Sequence, residues 1–152
     1  MSDPECLLCQ RIAESERGEY PYLVKKLDTG YVTLVENQFH EGTTEFVCKL
    51  CVAELHEMPA DFRARYLADM ALVAEAVFRA FKPRKLNYEA LGNGVPHFHW
   101  RFFPRYPDDP QRGWPVWANE EFRCSLEEGR SIPGPERLAD LKGRLQSELP
   151  AG

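Results

Sequence analysis

The 152-residue sequence predicts an α+β domain: an antiparallel sheet, one long helix packed on it, and an irregular C-terminal extension. Three observations carry that prediction. Two β-rich runs, Tyr22 to Leu27 and Gly30 to Asn37, flank a turn at Asp28-Thr29-Gly30, which is a hairpin signal. Phe62, Tyr66, Met70, Val73, Val77 and Phe81 recur at i+3 and i+4 steps, the spacing of one helix face. The run His97 to Phe103 alternates aromatic residues with polar ones, as a half-buried strand does.

The remaining elements follow in order. The run Thr43 to Cys48 reads as a third strand. Pro59 offers a favourable first helical position for the long helix, and Pro83 stops it. Lys85 to Asn93 reads as a strand, Gly92-Asn93-Gly94 turns the chain, and the histidine run forms the next strand, ended by Pro104. Between Pro104 and Pro135 lie six of the twelve prolines, together with Trp114 and Trp117. That density predicts an extended segment wrapping a surface or a partner. The run Gly134 to Leu149 closes the chain as a short amphipathic helix. Two units are expected, residues 1–106 as the domain and 107–152 as the extension.

Composition narrows the function. The net charge of -5 comes from mixed signs with no long like-charged run, which argues against nucleic acid or an anionic membrane as partner. The N-terminal twenty residues lack the apolar stretch of a signal peptide, and Glu75 interrupts the most apolar helical run. A cytoplasmic protein is expected.

The histidines point to chemistry. In "VPHFHWRFFPRY" alternation puts His97, His99, Arg101 and Phe103 on one face and Phe98, Trp100 and Phe102 on the other. Two imidazoles and a guanidinium converging after a glycine-rich turn mark a site more often than an idle polar edge. His-x-His alone also chelates metals, so the spacing does not choose between ligand and nucleophile.

The five cysteines form two Cys-x-x-Cys pairs, Cys6/Cys9 and Cys48/Cys51, plus Cys124. Without a secretory signal, such pairs read as metal binding before disulfide. Taken alone they spell a four-thiolate zinc ribbon. Against that, Cys48 ends a strand and its loop lacks the glycine of a second knuckle.

The stretch "LNYEALGNGVPHFHWRFFPRY" resembles the signature strand of the histidine triad family of nucleotide hydrolases and transferases, whose motif is His-φ-His-φ-His-φ-φ with φ apolar. "FHEGTTEFVCKLCVAELHEM" resembles that family's preceding strand and loop, and the likeness spans roughly residues 4 to 106. The resemblance implies the histidine triad fold and a homodimer. It implies that His99 attacks the α-phosphate of a nucleotide, forming a nucleotidyl-histidine intermediate, with His97 and Arg101 at the flanking triad positions. Asn93 falls near the family's phosphate-contacting residue, and Glu36 or Asn37 near the residue that holds the ribose hydroxyls. Zinc-bearing relatives imply a structural zinc ion on Cys6, Cys9, Cys51 and His97, with cysteine replacing histidine at 51. Cys48 and Cys124 are then structural.

Arg101 departs from the motif. It supplies permanent charge to a phosphate but no proton to a leaving group. The expected function is therefore hydrolysis or nucleotidyl transfer on a purine nucleotide or conjugate, with reduced activity on poor leaving groups. The alternatives are a non-catalytic nucleotide-binding module and a zinc-ribbon interaction protein.

Overall fold

The computed structural model describes residues 3–151, so the outer limits of the two expected units, Met1 and Gly152, lie outside the described residues. In chain order the elements are α1 (Leu7–Arg17), β1 (Leu23–Lys26), β2 (Gly30–Leu34), β3 (Thr44–Cys48), α2 (Ala60–Phe81), β4 (Lys85–Glu89), β5 (His99–Arg105), α3 (Glu120–Glu127) and α4 (Pro135–Glu148). The strands form one antiparallel sheet in the order β1-β2-β3-β5-β4. This is the α+β architecture that the sequence predicts.

The inner face of the sheet packs on α2 and α4. Val32, Leu34, Phe46, Phe98 and Phe102 meet Tyr66, Val73, Val77 and Phe81 of α2 and Leu141 and Leu145 of α4. All six periodic positions of α2 face this core or its margin, which is why the helix forms where its spacing says. Inside the core, Tyr66 donates its hydroxyl to the carbonyl of Phe46 at 2.9 Å, which satisfies this buried phenol. Gly42 has φ of 86° and lies so close to Phe81 that a Cβ there would sit 2.5 Å from the ring. Pro59 caps α2 in an extended conformation and does not enter it. Lys82 ends the helix at φ 50°, with Pro83 next.

Several features depart from the sequence pattern, and β5 begins at His99, leaving His97 on the loop before it. β5 runs through Pro104 to Arg105. β3 begins at Thr44, opposite Phe102, so beyond that point β5 has, among the described residues, a strand neighbour on one side only and tolerates a residue without an N–H. The segment after Pro104 is also not simply extended. Arg105, fully buried, donates to Asp109 (2.7 Å), Asn87 (2.9 Å) and the carbonyls of Trp114 (2.6 Å) and Gln111, and so folds the chain back over β4. Asn119 then caps α3 by accepting from the Phe122 N–H at 3.2 Å. The signal was legible: Asn119 followed by Glu120 and Glu121 is a helix start. Phe103, Val116 and Phe122 form a second small core there, on the outer face of the sheet. Trp117 packs on Phe103 and Phe122, while Trp114 stays 66% exposed.

His40, on the loop between β2 and β3, is buried against Phe39, Phe103 and Phe122 with neither ring nitrogen hydrogen-bonded. Burial, and then the charge of Arg105, push its pKa down from 6.5 to about 4, against a smaller opposing pull from Asp109. Below pH 6.5 the unfolded chain takes up a proton that folded His40 refuses, so this residue's contribution to stability falls as pH drops from 6.5 towards 4. His40→Phe should flatten that part of the pH dependence, read as urea midpoints measured between pH 7 and pH 4.

Candidate functional site

The outer face of the sheet carries the chemistry, and α1 lies across it. Leu8, Ile12 and Ser15 of α1 pack over Tyr31, Thr33 and Val47 of β2 and β3. The sequence pattern left this helix unassigned, because its inward face mixes leucine and isoleucine with cysteine, serine and arginine. Gly18 closes it at φ 75°.

Packing α1 there brings Cys6 and Cys9 to the loops that flank β3 and β5. The Sγ atoms of Cys6 and Cys9 each lie 3.5 Å from Nδ1 of His97. With Cys51 they form a group of four donor atoms, all within 4.8 Å of one another. Four donors at that spacing fit a tetrahedral ion whose bonds are about 2.0–2.3 Å long. The tautomer fits as well. His97 is fully buried, and its Nε2 sits 2.7 Å from the Cys48 carbonyl, to which it donates, leaving Nδ1 bare towards the thiols. Burial first, and then neighbouring Cys51 and Cys6, push the Cys9 thiol up to about 12, a tension that a dication would relieve. Cys48 is not in the group. Strand alternation turns its side chain into the core beside Phe46, and only its backbone carbonyl serves the site.

His99 follows on β5. Its Nδ1 lies 2.8 Å from the carbonyl of His97 and donates to it, so the Nε2 lone pair is the free one. His99 lines a cleft of about 140 Å³ with Asn93, Gly92 and Glu54. Asn93 is exposed on the turn before the strand, where Gly92 takes φ of 66°.

Arg101 lies directly opposite Glu45 on β3. It donates through Nε at 3.0 Å and through Nη2, both to Oε1 of that carboxylate. Burial alone would raise the Glu45 pKa, but the Arg101 guanidinium, helped by His99 and Arg11, holds it below the usual range. Arg11 of α1 stands 4.0 Å from Glu45 and bonds Glu36 at 2.9 Å. These four charged residues, with Asn37, Leu126 and Ile132, line a pocket of about 240 Å³. Glu36 keeps an exposed carboxylate at its rim. The Asn37 amide is engaged elsewhere: it donates to Ser125 and to the carbonyl of Arg130, both at 2.9 Å, and accepts from the Phe39 N–H. Two groups of this site, Glu45 and Arg11, were not expected from sequence. A glutamate at an outward position of an apolar strand was the available signal for Glu45, but its partner needed the strand register.

No protein-family model matches the chain, and no curated protein matches it. Solved structures do. A histidine triad protein from Marinobacter aquaeolei VT8 superposes with a TM-score of 0.68 at 25% identity, covering 84% of this chain and 87% of that one. A hypothetical histidine triad nucleotide-binding protein from Sulfolobus tokodaii strain7 gives 0.69 at 17% identity, over 92% and 91%. A Zn-bound histidine triad family protein from Mycobacterium smegmatis gives 0.65 at 18% identity, over 94% of each. The chain has the histidine triad fold, and the resemblance carried by its motif strand holds.

Metal analysis of the purified protein is expected to find close to one zinc ion per chain. His97→Ala should lose it and melt at a lower temperature, because bound zinc adds directly to folding stability. Cys48→Ala should keep it at the same stoichiometry. Loss of metal in the Cys48 variant would return the four-thiolate arrangement.

Proposed function

We propose that the chain binds a purine nucleotide or nucleotide conjugate and cleaves or transfers it at the α-phosphate through His99. One observation carries the reading: the His97 carbonyl holds the Nδ1–H of His99, leaving Nε2 unprotonated beside the cleft that Asn93 also lines. A neutral imidazole held in that tautomer is a competent nucleophile near pH 7.

In this mechanism the Nε2 lone pair attacks the α-phosphorus. The bond from phosphorus to the leaving group breaks, and the leaving group departs with the electron pair. Water or another acceptor then attacks the nucleotidyl-histidine, releasing the nucleotide and restoring His99. Asn93 donates an N–H to a phosphate oxygen. Arg101 contributes charge and no proton, so substrates whose leaving group needs no protonation are favoured. Glu36 takes the ribose hydroxyls, and Asn37 fixes the wall of the pocket by holding the loop after α3. Cys6, Cys9, Cys51 and His97 would hold a structural zinc ion, whose binding would join α1 to the loops after β3 and before β5. The Mycobacterium neighbour's description as Zn-bound, and the Sulfolobus neighbour's as nucleotide-binding, support these two parts of the reading.

Incubation with adenylyl sulfate, whose sulfate leaving group needs no proton, followed by an acid-free quench and intact-mass measurement, tests it. The wild-type chain should gain one nucleotidyl group, and His99→Ala should gain none and lose turnover by roughly three orders of magnitude or more. A wild-type chain that binds the nucleotide but forms no adduct and no product would be a non-catalytic binder. That outcome would follow if Arg101, already engaged by Glu45, favours binding over turnover.

A further inference from the structure

Glu45 is the unexpected member of the outer face. It is 3% exposed, on a strand whose every residue is buried. Its neighbours across the sheet are Thr33 on β2 and Arg101 on β5. Burying a carboxylate is unfavourable unless it is paired, and an apolar side chain at the same place would usually serve stability as well or better. Packing therefore does not account for a glutamate here.

The pairing does. A guanidinium offers its donors along separate edges. Glu45 takes the Nε–Nη2 edge of Arg101, both bonds going to one oxygen. Among the described residues, Nη1 of Arg101 has no hydrogen-bond partner. The second carboxylate oxygen faces Arg11 at 4.0 Å, and Arg11 continues to Glu36 across the pocket. Two arginines and two glutamates thus alternate from β5 through β3 and α1 to the end of β2, and Glu45 is the buried link.

We propose that Glu45 is the positioning residue of this site: it fixes the guanidinium of Arg101 by one edge and leaves Nη1 as the donor that meets a bound phosphate. Glu45 acts through Arg101 and does not touch the nucleotide. The proposal rests on the nucleotide reading above.

Calorimetric titration of the full zinc-loaded chain with AMP tests it, using wild type, Glu45→Gln, Arg101→Gln and the double variant. Glu45→Gln and Arg101→Gln should each weaken AMP about tenfold, the usual scale for a charge-assisted hydrogen bond. The double variant should be no weaker than Arg101→Gln alone, because Glu45 has nothing left to position. The arginine Nε–H region of a ¹H–¹⁵N spectrum gives a readout independent of ligand. The Arg101 signal, assigned by its loss in Arg101→Gln, should be slow to exchange in the wild type and fast in Glu45→Gln. If Glu45→Gln alone fails to fold, the double variant, which removes both charges, is compared with Arg101→Gln, and equal affinity supports the proposal. Wild-type affinity in Glu45→Gln, or a further tenfold loss in the double variant, overturns it and leaves the nucleotide reading intact. A wild-type chain that does not bind AMP removes that reading, and this proposal with it.

Discussion

The outer face of the sheet depends on one imidazole. His97 is fully buried, and each of its polar atoms has a separate task. Its Nε2 donates to the Cys48 carbonyl, its Nδ1 faces the thiols of Cys6 and Cys9, and its carbonyl accepts from His99. The first bond sets the tautomer that the second requires. The third sets the tautomer of the next histidine along. The cysteine group and the candidate nucleophile therefore meet at one residue, the first through its ring and the second through its backbone carbonyl.

Around that residue the sheet divides its labour by face. The inner face is apolar and packs on α2 and α4, where burial of Phe46, Phe102, Tyr66 and Leu145 supplies most of the driving force for folding. The outer face mixes charged and apolar groups and is covered by α1 and by the chain after β5. Covering charged groups is unfavourable unless they pair. The structure meets this with Arg11, Glu36, Glu45 and Arg101 on one side and with Arg105 and its four acceptors on the other.

Much of this was legible in the sequence, for identifiable reasons. The spacing of Phe62, Tyr66, Met70, Val73, Val77 and Phe81 gave α2 because the whole period points at one core. Alternation placed His99 and Arg101 on the outer face because both lie in β5, whereas His97, on the loop before the strand, is held there by its bond to the Cys48 carbonyl. The group of Cys6, Cys9, Cys51 and His97 came from the family resemblance, since spacing alone also admitted Cys48. Less legible were features set by tertiary contacts. α1 lacks a continuous apolar stripe because the face it packs on mixes Tyr31 and Val47 with Thr33 and Glu45. The order that Arg105 imposes on the following segment depends on carbonyls up to nine residues away. Proline density concealed α3, although Asn119 and two glutamates announced it. The role of Glu45 required the register of β3 against β5, which no local pattern contains.

The pair of tautomers set around His97 is the central claim, and long-range ¹H–¹⁵N correlation of the imidazole nitrogens at pH 8 tests it most directly. The account requires His97 protonated at Nε2 with Nδ1 bare, and His99 protonated at Nδ1 with Nε2 bare. A spectrum in which His99 carries its proton on Nε2, or in which His97 carries its proton on Nδ1, would contradict it.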